Sequence, residues 1–110
     1  MSSVTATVIN NTNLTLVVTS GSASHGNTPS VLSPTLPPNS TTNNVFVAHS
    51  DGAGVEGNVN VAGGGVSFSL NYDNLVIGSN SGSVSSGSYN GSCQAGGGTD
   101  ATFVYTLNAS

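Results

Sequence analysis

Apolar and polar residues alternate along most of this chain with a period of two residues. The clearest example runs from Val55 to Asn71. Val59, Val61, Phe68 and Leu70 alternate there with asparagine, serine and other small residues. Such alternation is typical of a strand that buries one face. The run Gly63-Gly64-Gly65 interrupts it and tolerates positive φ values, so this segment predicts a β-hairpin.

The same alternation recurs before and after this hairpin. A turn cluster, Asn10-Asn11-Thr12-Asn13, joins the first two alternating segments into a second hairpin. Pro34, Pro37 and Pro38 exclude a helix or a central strand in that part of the chain. Residues 90–100 form a glycine-rich stretch that predicts a loop. The remaining strands are predicted at residues 3–9, 14–19, 45–48, 81–89 and 101–107. A short edge strand at residues 31–32 would be the eighth, and residues 75–77 form a short apolar run.

Short strands at spacings near ten residues, with no helical periodicity, predict an all-β fold. We expect a single domain over residues 1–110, an antiparallel β-sandwich of about seven or eight short strands. The apolar positions of the alternating segments predict its core. They are Val4, Ala6, Val8, Leu14, Leu16, Val18, Phe46, Val59, Val61, Val66, Phe68, Leu70, Ile77, Phe103, Tyr105 and Leu107.

The charge content of the chain excludes several classes of function. Lysine and arginine are absent, and four acidic residues give a formal net charge of −4. Nucleic-acid binding depends on lysine and arginine, so we expect no nucleic-acid partner. Hydrophobic residues make up 35% of the chain, which argues against disorder. Neither a secretory signal peptide nor a transmembrane stretch is recognisable, which predicts a cytoplasmic protein or one already processed and secreted.

Cys93 is the only cysteine, so no disulfide can form within the chain. Its segment, Gly91-Ser92-Cys93-Gln94-Ala95-Gly96, is expected to lie in an exposed loop. Two interpretations stay open. The thiol is an ordinary loop residue, or it links two copies of the chain through an intermolecular disulfide.

Candidate catalytic residues occur at His49-Ser50-Asp51, which places a base, a hydroxyl and an acid side by side. Adjacent residues on a strand point to opposite faces, whereas a catalytic triad converges from separate segments. We therefore predict no catalytic site, no enzymatic activity and no cofactor.

The acidic residues and tyrosines supply two further candidate sites. Asp51, Glu56 and Asp73 could offer oxygen ligands to a calcium ion, although no EF-hand spacing is present and both aspartates also suit turns. Tyr72 and Tyr89 could form a surface that stacks on a sugar or a lipid. The alternative places Tyr105 in the core and the other two tyrosines over the sheet edges.

One stretch resembles a known family. The segment Asp51-Gly52-Ala53-Gly54-Val55-Glu56-Gly57, followed by Asn71-Tyr72-Asp73-Asn74 and Gly78-Ser79-Asn80-Ser81, is similar to aegerolysins, which are small β-sandwich proteins. The resemblance covers residues 45–81. It implies a sandwich fold and recognition of membrane lipids, in some members together with a pore-forming partner.

Composition supports a different hypothesis. Natural sheets protect their edges with charges, lysine above all, and this chain has almost none. A neutral surface of serine, threonine and asparagine offers little repulsion between copies. In size, sandwich pattern and low charge the chain is similar to octin-type crystal-forming proteins. The first hypothesis is therefore a self-associating structural protein that forms a crystal, filament or layer.

Two alternatives remain beside self-association. The second hypothesis is an aegerolysin-like module that binds a membrane lipid or a glycan. A third is an ice- or surface-binding protein whose flat face carries Thr5 and Thr7, or Thr15 and Thr19.

Overall fold

A computed structural model describes residues 2–52, 54–75 and 78–109, and these residues form a β-sandwich without helices. Among them, accordingly, there is no helix with the length and apolar character needed to span a bilayer. The all-β fold class is confirmed. The strands are β1 (Ser2–Asn11), β2 (Leu16–His25), β3 (Ser30–Val31), β4 (Thr35–Leu36), β5 (Ser40–Thr42), β6 (Phe46–Ser50), β7 (Gly54–Gly63), β8 (Val66–Leu75), β9 (Ser81–Ser86), β10 (Asn90–Ala95) and β11 (Asp100–Asn108).

The strands are divided between two sheets. The six-stranded sheet has the order β10-β11-β1-β6-β3, with β5 also pairing with β1, and the five-stranded sheet has the order β4-β2-β7-β8-β9. Strands β1 and β11 pair in parallel, whereas we predicted an antiparallel sandwich. Parallel neighbours need a long crossover connection. Here the nine intervening strands provide it, because the first and last strands lie side by side.

The core lies between the sheets and is formed by the alternate apolar positions of the long strands. Most of the predicted core residues are buried. Leu14, Val18 and Val66 are only partly buried at its margin, and Ile77 lies outside the described residues. The core also contains residues that the sequence did not indicate, namely Leu36, Val45, Ala48, Val55, Tyr72 and Ala101.

The predicted number of strands was too low, and the predicted loop at residues 90–100 was partly wrong. The predicted hairpin of the first two strands was also wrong, because β1 and β2 lie in different sheets. Residues 90–95 form strand β10, which pairs with β11 at the edge of the six-stranded sheet. Strand β9 lies beside it on the other sheet, and two glycines let these edges approach closely. A Cβ atom at Gly82 would lie 2.6 Å from Cys93 Sγ, and one at Gly91 would lie 2.7 Å from Val84 Cγ1. Each glycine therefore leaves room for a side chain of the opposite strand.

Buried asparagine side chains hold the strand ends in place. At one end of the sandwich, Asn10 Nδ2 donates to the carbonyl oxygens of Leu14, Leu36 and Pro37 at 2.9, 3.2 and 3.0 Å. At the other end, Asn74 Nδ2 donates to the Ser3 and Thr99 carbonyls at 3.0 and 3.1 Å. Buried carbonyl groups need such partners. Asn10 and Asn74 are therefore structural residues.

Candidate functional site

An open cleft of about 430 Å³ crosses the outer face of the five-stranded sheet. It spans strands β2, β7, β8 and β9 near the end where β7 begins and β8 ends. Alternate residues of a strand project to opposite faces. The polar side chains of these strands therefore form the walls of the cleft, and the backbone at Gly57, Tyr72 and Gly82 contributes its floor.

One row of the cleft consists of four neutral side chains at matching registers, Ser22, Asn58, Asn71 and Ser83. The Ser22 hydroxyl donates to Asn58 Oδ1 at 2.7 Å. Asn71 Nδ2 donates to the hydroxyl oxygens of Ser83 and Ser85, each at 3.2 Å. These hydrogen bonds run across the strands and fix the orientation of both amide groups.

The neighbouring row contains the acidic residues. Glu56 and Asp73 are directly opposite each other on β7 and β8, and His25 of β2 is opposite Glu56 on its other side. His25 Nδ1 lies 3.0 Å from Glu56 Oε1. Ser81 of β9 faces Asp73 and completes the row. Two of the four acidic residues of the chain therefore lie side by side in one cleft.

The close approach of β2 to β7 beneath this row requires a glycine. A Cβ atom at Gly57 would collide with the Ser22 carbonyl oxygen and would lie 2.6 Å from Tyr72 Oη. Strand β2 also contains a register shift between Ala23 and His25. Such a bulge increases the local twist and redirects side chains. It places Ser24 so that its hydroxyl donates to the Glu56 carbonyl at 3.3 Å.

The structure brings together two of the three predicted metal ligands. Glu56 and Asp73 are paired, whereas Asp51 lies in the turn after β6, with its side chain 83% exposed and 3.4 Å from His49 Nε2. Within the described part of the chain, no three histidine, cysteine or acidic side chains are grouped so as to hold a metal ion. The turn interpretation accounts for Asp51, since the neighbouring Ser50 hydroxyl accepts a hydrogen bond from the Gly52 N–H.

The predicted tyrosine surface does not form. Tyr72 is 2% exposed and packs on Phe46 of the opposite sheet, with ring centroids 5.7 Å apart. Its assignment as a surface residue was wrong, because it continues the buried alternation of Phe68 and Leu70. Tyr89 is partly buried and meets the Phe68 ring edge to face at 6.0 Å. Tyr105 belongs to the core, as predicted, and its hydroxyl donates to the Asn71 carbonyl at 2.8 Å.

Cys93 was also placed wrongly, since it lies in strand β10 and not in an exposed loop. Its side chain points inward, partly buried, and packs against the core. Burial raises the pKa of the thiol to about 11. A thiol in this environment is poorly suited to forming a disulfide between chains.

Sequence reasoning missed the neutral row of the cleft. Ser22, Asn58, Asn71 and Ser83 are ordinary polar residues of half-buried strands, and nothing in their local sequence distinguishes them. The hairpin β7–β8 places Asn58 opposite Asn71 and Glu56 opposite Asp73. The Gly-rich turn could have revealed that pairing. The contributions of β2 and β9 depend on the sheet order, which the sequence does not show.

Solved structures share this fold. The structure of the lipid binding protein Nakanori superposes with a TM-score of 0.81 over 97% of this chain and 71% of that one, at 14% identity. The RahU protein in complex with a TRIS molecule superposes with a TM-score of 0.65 over 99% of this chain and 96% of that one, at 13% identity. At these identities the similarity shows the fold alone. No family model and no curated protein sequence matches the chain.

Proposed function

We propose that this protein binds the polar headgroup of a membrane lipid in the cleft of the five-stranded sheet. The observation that carries the proposal is this polar cleft, which lies on a fold shared with a lipid-binding protein. Its volume of about 430 Å³ falls within the range of small-molecule sites, roughly 300–1,000 Å³. The resemblance of residues 45–81 to aegerolysins forms part of the same proposal.

Recognition by polar contacts fits the surface better than deep insertion into the bilayer. Among the described residues, the large apolar side chains that are exposed are Val17, Val31 and Leu32. Two of these residues, Val31 and Leu32, are adjacent, but an exposed apolar set of only three side chains is ordinary on folded domains. The cleft, by contrast, gathers hydrogen-bonding groups on rigid strands, which keeps their geometry fixed when a ligand binds.

Co-sedimentation with vesicles tests the proposal. Phosphatidylcholine vesicles would be used alone and with added sphingomyelin or neutral monohexosylceramide. We expect the protein to pellet with at least one of these compositions. Asn58→Ala should then weaken binding, because it removes an amide from the cleft wall. Asn108→Ala is the matched control, since this strand asparagine lies on the outer face of the other sheet. If no composition pellets the protein, the proposal fails.

Self-association is a second candidate, and the outer face of the six-stranded sheet favours it. The face carries mostly β-branched, uncharged residues on the adjacent strands β1 and β11, and Asp100 is a charged residue at one end of it. Thr5 lies beside Thr102, Thr7 beside Val104 and Ile9 beside Thr106. The part of this face away from Asp100 could pack against a second copy without burying a charge. In both candidates the protein acts without enzymatic activity.

Sedimentation velocity at increasing protein concentration tests this second candidate. If the outer face of the six-stranded sheet mediates association, Val104→Lys should keep the protein monomeric. Ser67→Lys places the same charge on the outer face of the five-stranded sheet and should leave association unchanged. A wild-type protein that stays monomeric at every concentration would exclude the candidate. Reductant should have no effect, because Cys93 faces inward.

A further inference from the structure

We infer that the headgroup bound in the cleft is an uncharged sugar, as in a neutral glycolipid, and not a phosphate-bearing group. This inference rests on the proposed function and specifies its ligand. The cleft combines two adjacent carboxylates with a row of hydroxyl and amide groups, and the chain contains no lysine or arginine.

The charges in the cleft oppose a phosphate. Proteins bind phosphate through arginine, lysine or the N–H groups at a helix N-terminus. Helices are absent from the described residues, and lysine and arginine are absent from the whole sequence. The cationic form of His25 would be paired with Glu56, 3.0 Å away. Glu56 and Asp73 would therefore meet a phosphate with unfavourable charge.

The same groups suit the hydroxyls of a sugar ring. A carboxylate accepts hydrogen bonds at both oxygens and donates none, so it needs a ligand that donates. A sugar hydroxyl donates to the carboxylate and can also accept from a serine hydroxyl. Glu56 and Asp73 provide acceptors on one row, and Ser81 and Ser83 provide groups that both donate and accept on the adjacent strand.

The fixed orientation of polar groups in the cleft would favour a ligand that carries hydroxyl groups over an apolar analogue. The amide orientations of Asn58 and Asn71 are fixed by cross-strand hydrogen bonds before any ligand binds. Pre-organised groups bind with a smaller loss of conformational freedom. A site built to hydrogen-bond a hydroxyl also discriminates strongly against a ligand that lacks one.

The test compares two lipids that share a ceramide anchor and differ in the headgroup. The full-length protein is mixed with phosphatidylcholine vesicles containing either monohexosylceramide or sphingomyelin. Selective binding to monohexosylceramide supports the inference. Binding to sphingomyelin alone, or equal binding to both, overturns it and leaves lipid binding intact. Binding to no vesicle overturns the proposed function itself.

Soluble methyl glycosides, added as competitors, distinguish the sources of the sugar. Direct binding of the free glycoside, measured by isothermal titration calorimetry, without any vesicle binding would show that the ligand is a glycan that is not attached to lipid. That result would preserve sugar recognition and overturn the lipid proposal. Competition together with vesicle binding supports a glycolipid.

A charge variant provides an independent readout. Asp73→Asn should weaken binding to monohexosylceramide vesicles roughly tenfold or more, since hydrogen bonds to charged groups are the stronger ones. If the ligand is instead an anionic phosphate headgroup without a cationic group, as in phosphatidic acid, the same substitution should strengthen binding by removing repulsion, and that result would overturn the inference. Asp100→Asn, which makes the identical change outside the cleft, should leave binding unchanged. Circular dichroism of both variants verifies that they fold.

Discussion

The contact between Gly82 and Cys93, which joins the edges of the two sheets, can be tested by a single methyl group. In Gly82→Ala the new Cβ would lie 2.6 Å from Cys93 Sγ, 3.0 Å from Phe103 Cδ2 and 3.1 Å from the Asn71 carbonyl oxygen. Overpacking of this kind costs about 1–3 kcal/mol. Replacing glycine by alanine in a compatible conformation also stabilises a protein by about 0.4–1 kcal/mol, because it lowers the conformational entropy of the unfolded chain. We therefore expect a net loss of about 1–2 kcal/mol.

Gly87→Ala is the matched control for this substitution. A Cβ atom at Gly87 meets no other atom within 4 Å, and its backbone needs no positive φ. The control should be neutral or stabilised by up to about 1 kcal/mol. Urea unfolding followed by far-UV circular dichroism measures both variants, and tyrosine fluorescence is an independent probe because the chain has no tryptophan. In a domain near this size, 1 kcal/mol corresponds to roughly 4–8 °C in Tm.

A double-mutant cycle identifies the sulfur as the cause. Cys93→Ala should itself lose about 1 kcal/mol of packing. In the double variant, the alanine methyl group at position 82 occupies the space of the missing sulfur. The combined loss should therefore be smaller than the sum of the single losses by about 1 kcal/mol. The overpacking is only partly removed in the double variant, because the new methyl group still lies too close to Phe103 and Asn71. Additivity within about 0.5 kcal/mol, or a Gly82→Ala variant as stable as the control, would refute the reasoning.

Four further predictions concern Cys93, Asn10 and Asp73. The Cys93 thiol, with a pKa of about 11 raised by burial, should be roughly one-thousandth ionised at pH 8 and react slowly with iodoacetamide until urea unfolds the chain. Because this folded-state pKa lies above the ordinary thiol pKa of 9.0, the free energy of unfolding should fall as pH rises from 9 through 11, and Cys93→Ala should flatten that fall in urea midpoints. Asn10→Asp should destabilise the fold by about 3 kcal/mol or more in urea unfolding, since a carboxylate cannot donate to the three carbonyls that Asn10 contacts. An unchanged urea midpoint would contradict this structural role of Asn10. Asp73→Asn should stabilise the protein by about 0.2–1 kcal/mol in thermal unfolding, because it removes a like charge opposite Glu56, whereas a loss of stability would show that the two carboxylates do not repel.

The sequence predicted the fold well where inward positions carry large apolar side chains. Strands β1, β7, β8 and β11 show a clear period of two, because each places valine, leucine or an aromatic residue toward the core at alternate positions. Strand β10 was not predicted, because one of its inward positions is Gly91, which has no apolar side chain to show the alternation. The close approach of the Thr106 carbonyl on β11 and of Val84 on the other sheet, and not hydrophobicity, explains that residue.

The positions predicted wrongly belong to polar residues that continue the buried face of a strand. Tyr72 follows Phe68 and Leu70 at the correct spacing, but its hydroxyl group suggested a binding surface. Asn10 follows Val8 on the buried face of β1, yet an asparagine next to further polar residues indicated a turn. In both cases periodicity was the better guide than residue type. The buried hydrogen bonds of Asn10 are long-range contacts that no local pattern reveals.

The placement of the acidic residues is the strongest argument that the cleft has a function. A chain with only four acidic residues could easily keep them apart, and a purely structural sheet would gain stability by doing so. Instead Glu56 and Asp73 face each other on adjacent strands, beside fixed amide groups and above a floor that requires Gly57. Arrangements that reduce stability without a structural benefit are expected at functional sites. The outer face of the six-stranded sheet has no comparable pair of adjacent carboxylates among its described residues, which is why ligand binding is assigned to the five-stranded sheet.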